Sequence, residues 1–248
     1  MDLIRSEWIK LHTVRVTYVL GIIAGAFPLV VVVLVTALSR NPQERVISDF
    51  VGLITGTMVL TALLLGVVSA LSLTSEYSHG TIRATFAAVP KRHNVLLAKA
   101  AVALVTTMIF ATIVMLVSYV VGSIIFKSRG AHFTLNGVNT AAMIGLVVLC
   151  GLLAMLGYGL GLIIRNSAAT VTVLVLWPLL LENIARIVLS AAGVKNPTKW
   201  LPYQSAIGMA APDRADTDPS RLQGGLYLGS VVLAIIIIGV FINERRDA

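Results

Sequence analysis

The sequence predicts an all-α integral membrane protein with six transmembrane helices. Three observations carry this expectation. Of the 248 residues 57% are hydrophobic and only 12% charged, where a soluble domain carries about 25% charge; the mean hydropathy is +0.92. Six segments reach the length of about 20 apolar residues that a helix needs to cross a bilayer. These segments are continuously apolar, whereas strands of a membrane barrel alternate.

Residues 2–15 come first and read as an interfacial helix. Ile4, Trp8 and Leu11 fall at i, i+4 and i+7 on one face, with Asp2, Arg5, Glu7 and Lys10 on the others. Trp8 suits the headgroup region, where an amphipathic helix lies in the membrane plane; a charged tail without structure is the alternative. A charged lead-in as far as Arg15, followed by a span-length run, does not fit a cleavable signal peptide.

The spans are placed at Val16–Leu38, Phe50–Leu73, Val95–Phe126, Val138–Ile164, Ala168–Leu189 and Gly224–Ile242. The third is long enough to tilt, or to begin at the interface. The fifth holds Pro178, which cannot donate to the carbonyl of Leu174, so a kink is expected there. The longest gap, 190–223, is rich in Pro, Asp and Gly. No soluble domain and no internal repeat is visible, so 1–248 reads as one domain.

Six spans put both termini on one side. That side collects Arg5, Lys10, Arg15, Arg83, Lys91, Arg92, Lys99, Arg165, Arg245 and Arg246. The other collects Arg40, Arg45, Lys127, Arg129, Lys195, Lys199, Arg214 and Arg221. Cytoplasmic loops carry the excess of Lys and Arg, so the larger set places both termini in the cytoplasm. The net charge of +8 is then explained by lipid headgroups and topology and not by nucleic acid. The single cysteine, Cys150, lies in an apolar run and allows neither an intrachain disulfide nor a Cys-rich metal site.

Between the second and third spans lies "SEYSHGTIRATFAAVPKRHN", Ser75–Asn94. Thr81 is a candidate N-cap for a short helix reaching Val89. Ile82, Phe86 and Val89 share its apolar face, and Pro90 ends it. So short a helix is unstable alone, so something covers Ile82 and Phe86. Lipid and a partner's groove both remain open on periodicity.

Carried one step further, "SEYSHGTIRATFAAVPKRHNVLLAKA" resembles the loop between the second and third spans of ABC-2 type permeases, the membrane subunits of bacterial ABC exporters. That family shows E-x-x-x-G-T-[IL]-R, then a proline and basic residues, then a lysine early in the next helix. Glu76, Gly80, Thr81, Ile82, Arg83, Pro90, Arg92 and Lys99 match it. The start "IRSEWIKLHTVR" and the six-span layout extend the resemblance over nearly the whole chain; "LVLWPLLLENI" and "KWLPYQSAIGM" are similar to the fifth span and the outer loop after it. The resemblance implies an elbow helix at 1–15 and a cytoplasmic coupling helix within 75–94, docked on an ATP-binding subunit through Glu76, Gly80, Thr81, Ile82, Arg83 and Phe86. It also implies re-entrant helices within 190–223. The implied protein sits in the bacterial cytoplasmic membrane and pairs with a second, identical or related, permease subunit. It would export an amphipathic cargo such as a drug, an antibiotic peptide or a lipid-like compound.

No G-x-x-x-x-G-K-[ST] phosphate loop is present. The expectation is that this chain is not an enzyme and holds no cofactor, and that ATP and Mg bind a separate ATPase. No metal site or nucleophile set converges among His12, His79, His93 and His132, which lie in loops or at span edges. Three Gly-x-x-x-Gly pairs, Gly21/Gly25, Gly52/Gly56 and Gly157/Gly161, suit close packing within the bundle or a dimer seam. Glu182 and Arg186 are spaced for an i, i+4 ion pair. Glu182 lies about 21 Å along its span at about 1.5 Å per residue, in the outer third of a hydrocarbon core about 30 Å thick. Either the pair satisfies itself at the outer interface, or Glu182, Asn183 and Arg186 face the translocation path.

Three rivals remain. An integral membrane enzyme would need a polar cluster at depth, and Glu182, Asn183 and Arg186 are the candidates for one. A scaffold or sensor explains basic loops but not paired elbow and coupling segments. A gradient-driven transporter would carry more buried ionisable groups.

Overall fold

The computed structural model describes residues 15–40, 46–81, 92–131, 134–214 and 219–246. The elbow segment, and Ile82, Arg83 and Phe86 of the expected coupling helix, lie outside the described residues. The elements run in the order α1 (Arg15–Leu38), α2 (Ile47–Ser78), α3 (Arg92–Ser128), α4 (Gly137–Ile164) and α5 (Ser167–Leu176). A π-helical segment (Trp177–Leu181) joins α5 to α6 (Glu182–Ala191). A 3-10 turn (Pro197–Trp200), α7 (Pro202–Ile207) and α8 (Arg221–Arg246) follow. Six helical stretches are long and apolar enough to cross a membrane, the fifth being the composite Ser167–Ala191.

The predicted spans all form, but their ends move. α2 continues through Ser78, five residues beyond the expected stop at Leu73. Ser75 to Ser78 are therefore the last turn of a helix and not loop. Likewise α3 starts at Arg92, before the expected Val95. Both ends are polar, so hydropathy missed them, while backbone hydrogen bonding carries the helices on.

Two buried helices, α2 and α4, make the centre. A Cβ at Gly157 would collide with the carbonyl of Gly66, and one at Gly66 would meet the carbonyl of Leu153. The backbones of α2 and α4 thus approach as only small residues permit. Ile54, Met58, Leu146, Leu149 and Leu153 of these two helices have little or no exposure, and Phe50 packs its ring against Tyr119 and Phe126 of α3. α1, α5, the π segment, α6 and α8 lie outside this pair and carry many exposed apolar side chains, such as Ile22, Leu180, Ile187 and Ile237.

The fifth span departs from a regular α-helix at the expected place. Pro178 has no N–H to give the preceding turn. The ladder answers with an i→i−5 bond, from the Glu182 N–H to the Trp177 carbonyl. The irregularity takes the form of a π segment, and the Asn183 side-chain amide donates back to the carbonyls of Leu179 (2.9 Å) and Pro178 (3.4 Å).

Candidate functional site

The starts of α1, α3 and α5 and the ends of α2, α4 and α8 share one face of the bundle, called here the terminal face. It holds the base of the loop between the second and third spans. His79 closes the last turn of α2, its N–H donating to the Ser75 carbonyl at 3.0 Å. Gly80 follows at φ 69°, the left-handed conformation that commonly ends a helix and that glycine adopts without strain. A Cβ there would touch nothing, so conformation and not crowding calls for this glycine. The Thr81 hydroxyl donates to the Glu76 carbonyl at 3.4 Å; whether Thr81 also caps a following helix lies outside the described residues.

Glu76 was expected to touch a partner. It is buried at 9% exposure, and its carboxylate accepts from the Lys99 ammonium at 2.9 Å. Lys99 is itself 5% exposed. The ion pair ties the end of α2 to the start of α3, the two helices that the loop connects. One residue on, the Tyr77 hydroxyl donates to the side-chain oxygen of Asn243 in α8. Arg165, in the left-handed cap of α4, donates to the same oxygen, and its guanidinium stands 5.0 Å over the Tyr77 ring. The Asn243 amide donates to the carbonyls of Leu162 (3.0 Å) and Gly239 (2.7 Å). Ends of α2, α3, α4 and α8 are thereby joined by buried polar contacts. In a low-dielectric setting such networks are strong when satisfied and costly when broken.

The opposite face holds Glu182, 4% exposed. Its carboxylate accepts from the Trp177 indole N–H (2.8 Å) and from the backbone N–H groups of Tyr203 (3.0 Å) and Gln204 (2.8 Å). Those two amides open α7, where Pro202 stands at the start. A carboxylate on the free N–H groups of a first turn satisfies donors that the helix itself cannot. Asn183 adds a contact to the Gln204 side chain at 3.3 Å. The expected i, i+4 bridge is not formed: Arg186 is exposed, and no ion pair joins it to Glu182 among the described residues. The carboxylate is committed to the returning hairpin, which draws it inward and away from Arg186. Tyr203 packs beside it at 2% exposure. Burial, and after it the charge of Glu182, push the Tyr203 phenol up to about 12.

Residues 3–179 match the family model for ABC-2 family transporter protein. The chain belongs to the ABC-2 transporter family. No curated protein and no solved structure matches it. An ABC-2 permease is a membrane component of a transporter and not a catalytic domain. The matched stretch includes the whole loop between the second and third spans; it ends before Glu182 and before α7.

Within this permease, sequence reading found Glu76, Gly80, Thr81 and Lys99 through the family motif, and the structure brings all four to one helix junction. Their common task, closing α2 and clamping it to α3, was not visible. Tyr77, Arg165 and Asn243 were missed. The one signal for them was position, since each is a polar residue within a few positions of a span end.

Proposed function

We propose that this chain is the membrane-spanning permease subunit of an ATP-driven exporter, working with a separate ATPase that binds ATP and Mg. Two permease subunits, identical or related, form the path for an amphipathic cargo such as a drug, an antibiotic peptide or a lipid-like compound. The protein sits in the cytoplasmic membrane of a bacterium, with the terminal face and both termini in the cytoplasm. Residues 82–91 dock on the ATPase, with Phe86 as anchor and Arg83 reaching an acidic group on the rim.

The observation that carries this reading is the buried Glu76–Lys99 bridge between the two helices that the loop connects. A loop pushed by a partner moves the bundle only if its two roots cannot slide apart. Here both roots are clamped together, and Tyr77 and Asn243 extend the clamp to α8. A loop resting on lipid needs no such base. The reading gains support from family membership and from the basic residues on the terminal face.

The test is co-purification of the cognate ATPase with the wild-type chain and with Phe86→Asp. Aromatic anchors near the centre of a small contact often carry much of its energy. The variant should lose the ATPase and export while its spans stay folded. Equal recovery of the ATPase with both proteins rejects the assignment.

A further inference from the structure

α1, α2 and α3 enclose a cavity of about 620 Å³, open to one side and lined almost wholly by apolar side chains. That volume falls within the range of about 300–1,000 Å³ typical of small-molecule pockets. Its wall on α1 runs from Thr17 to Leu29. The twelve helical steps between them make about 18 Å, slightly more than one leaflet's half of a hydrocarbon core about 30 Å thick. The groove opens where a bilayer supplies hydrocarbon.

Its polar groups are not spread evenly. A Cβ on Gly25 would meet Phe110 and Val114 at 3.4 and 3.5 Å, which fixes the register of α1 against α3. Thr107 then lies level with about Leu20. Thr17, Tyr18, Thr106 and Thr107 therefore share the end nearest the terminal face, and the remainder, toward Leu29 and Val117, is apolar. Arg15, exposed and without an ion pair among the described residues, stands two residues before the lining begins.

Thr107 points the same way. Threonines in a helix usually return their hydroxyl to the preceding turn. Thr106 does so to Val102 and Ala103, and Thr112 does so to Met108. Thr107, only 7% exposed, makes no hydrogen bond among the described residues, though it lines the groove. Its hydroxyl therefore faces the groove with no protein partner among the described residues, free to donate to an acceptor such as an ester oxygen of an occupant. Gly21 adds the last observation: a Cβ there would touch nothing, so this glycine packs no helix and leaves the floor of the groove open.

We propose that the groove binds one phospholipid from the leaflet at the terminal face. One acyl chain lies between α1 and α3, the ester region meets Thr107, and the phosphate sits at Arg15. The cation favours an anionic headgroup, since basic residues at a membrane surface attract anionic lipid. This site needs no ATPase and stands independently of the exporter reading.

The experiment uses the full chain in detergent with phosphatidylglycerol carrying a photoreactive group midway along one acyl chain. Labelled positions are mapped by mass spectrometry and retained lipid is quantified. Labelling should concentrate on 17–29 and 106–117. Gly21→Leu, which fills open space, should lower it about tenfold by overpacking the groove. Arg15→Gln should keep the chain bound but reduce the preference for phosphatidylglycerol over phosphatidylcholine about fivefold. Thr107→Val, nearly isosteric, should weaken retention about threefold, and it secures the test if Gly21→Leu does not fold. Labelling spread equally over the exposed faces of α5 and α8, and unchanged in all three variants, overturns the proposal. So does efficient cross-linking of Gly21→Cys to a second copy, which would make the groove a protein interface.

Discussion

Glu76 was expected to touch a partner, and the structure instead buries it against Lys99. A glutamate at the end of an apolar run looks like a surface residue, and a family motif suggests partner contact. The structure spends its charge on Lys99, 23 residues away and buried with it. Breaking such a pair from one side leaves an uncompensated buried charge and costs about 3–5 kcal/mol, whereas replacing both partners with apolar residues of similar size is often neutral. Lys99→Met alone and Glu76→Gln alone should therefore lower the thermal unfolding temperature in detergent, and Glu76→Leu with Lys99→Met should recover most of it. If the double variant is as stable as wild type yet transports poorly, the bridge serves force transfer more than folding. Additive losses from the two single changes would show that the residues do not act as a pair.

At the scale of elements, the spans were legible because twenty apolar residues in a row admit few other readings. The ends were not legible. Ser75 to Ser78 and Arg92 to Asn94 are polar and still helical, since hydropathy reports the solvent and not the hydrogen-bond ladder. The fate of Glu182 was hidden for another reason. Local spacing pointed to Arg186, but its true partners are backbone amides 21 and 22 residues on, which periodicity cannot see. The π segment and the hairpin act together here. The extra residue at Trp177–Leu181 sets the rotation of Glu182, and a one-residue change turns a helical side chain by about 100°. Glu182→Gln keeps size but replaces one acceptor oxygen with a donor facing an N–H group. It should loosen α7, exposing Ala206→Cys to a water-soluble thiol reagent at least several-fold faster, at a cost of about 1–3 kcal/mol. Arg186→Gln should leave labelling unchanged. Equal labelling in wild type and Glu182→Gln would show that the hairpin holds without its carboxylate.

The whole molecule is organised around the crossing of α2 and α4, with polar clamps on either side of it. At the terminal face the ends of α2, α3, α4 and α8 are tied together by polar contacts. At the opposite face Arg129 donates to the carbonyls of Thr36 and Ala37 at 2.8 Å each and Glu182 holds the hairpin. The three glycine pairs divide accordingly. Gly157 and Gly161 face α2 closely, whereas Gly56 has open space around it. Sequence spacing alone could not separate these cases, because a packed glycine and an idle one look the same. Gly157→Val should drive α2 and α4 apart and cost well over about 3 kcal/mol, as overpacking against backbone has no soft neighbour to yield. Gly56→Ala should be tolerated, and could gain about 0.5–1 kcal/mol from lost backbone freedom in the unfolded chain. Gly56→Leu then distinguishes two arrangements of the assembled transporter. If Gly56 only faces lipid, the bulky variant keeps its mass in light-scattering measurements and its stability. If Gly56 seats a second permease subunit, Gly56→Leu keeps the fold of one subunit but shifts the particle to half its mass. Unfolding by Gly56→Ala itself would contradict the open space around that position and the packing scheme built on it.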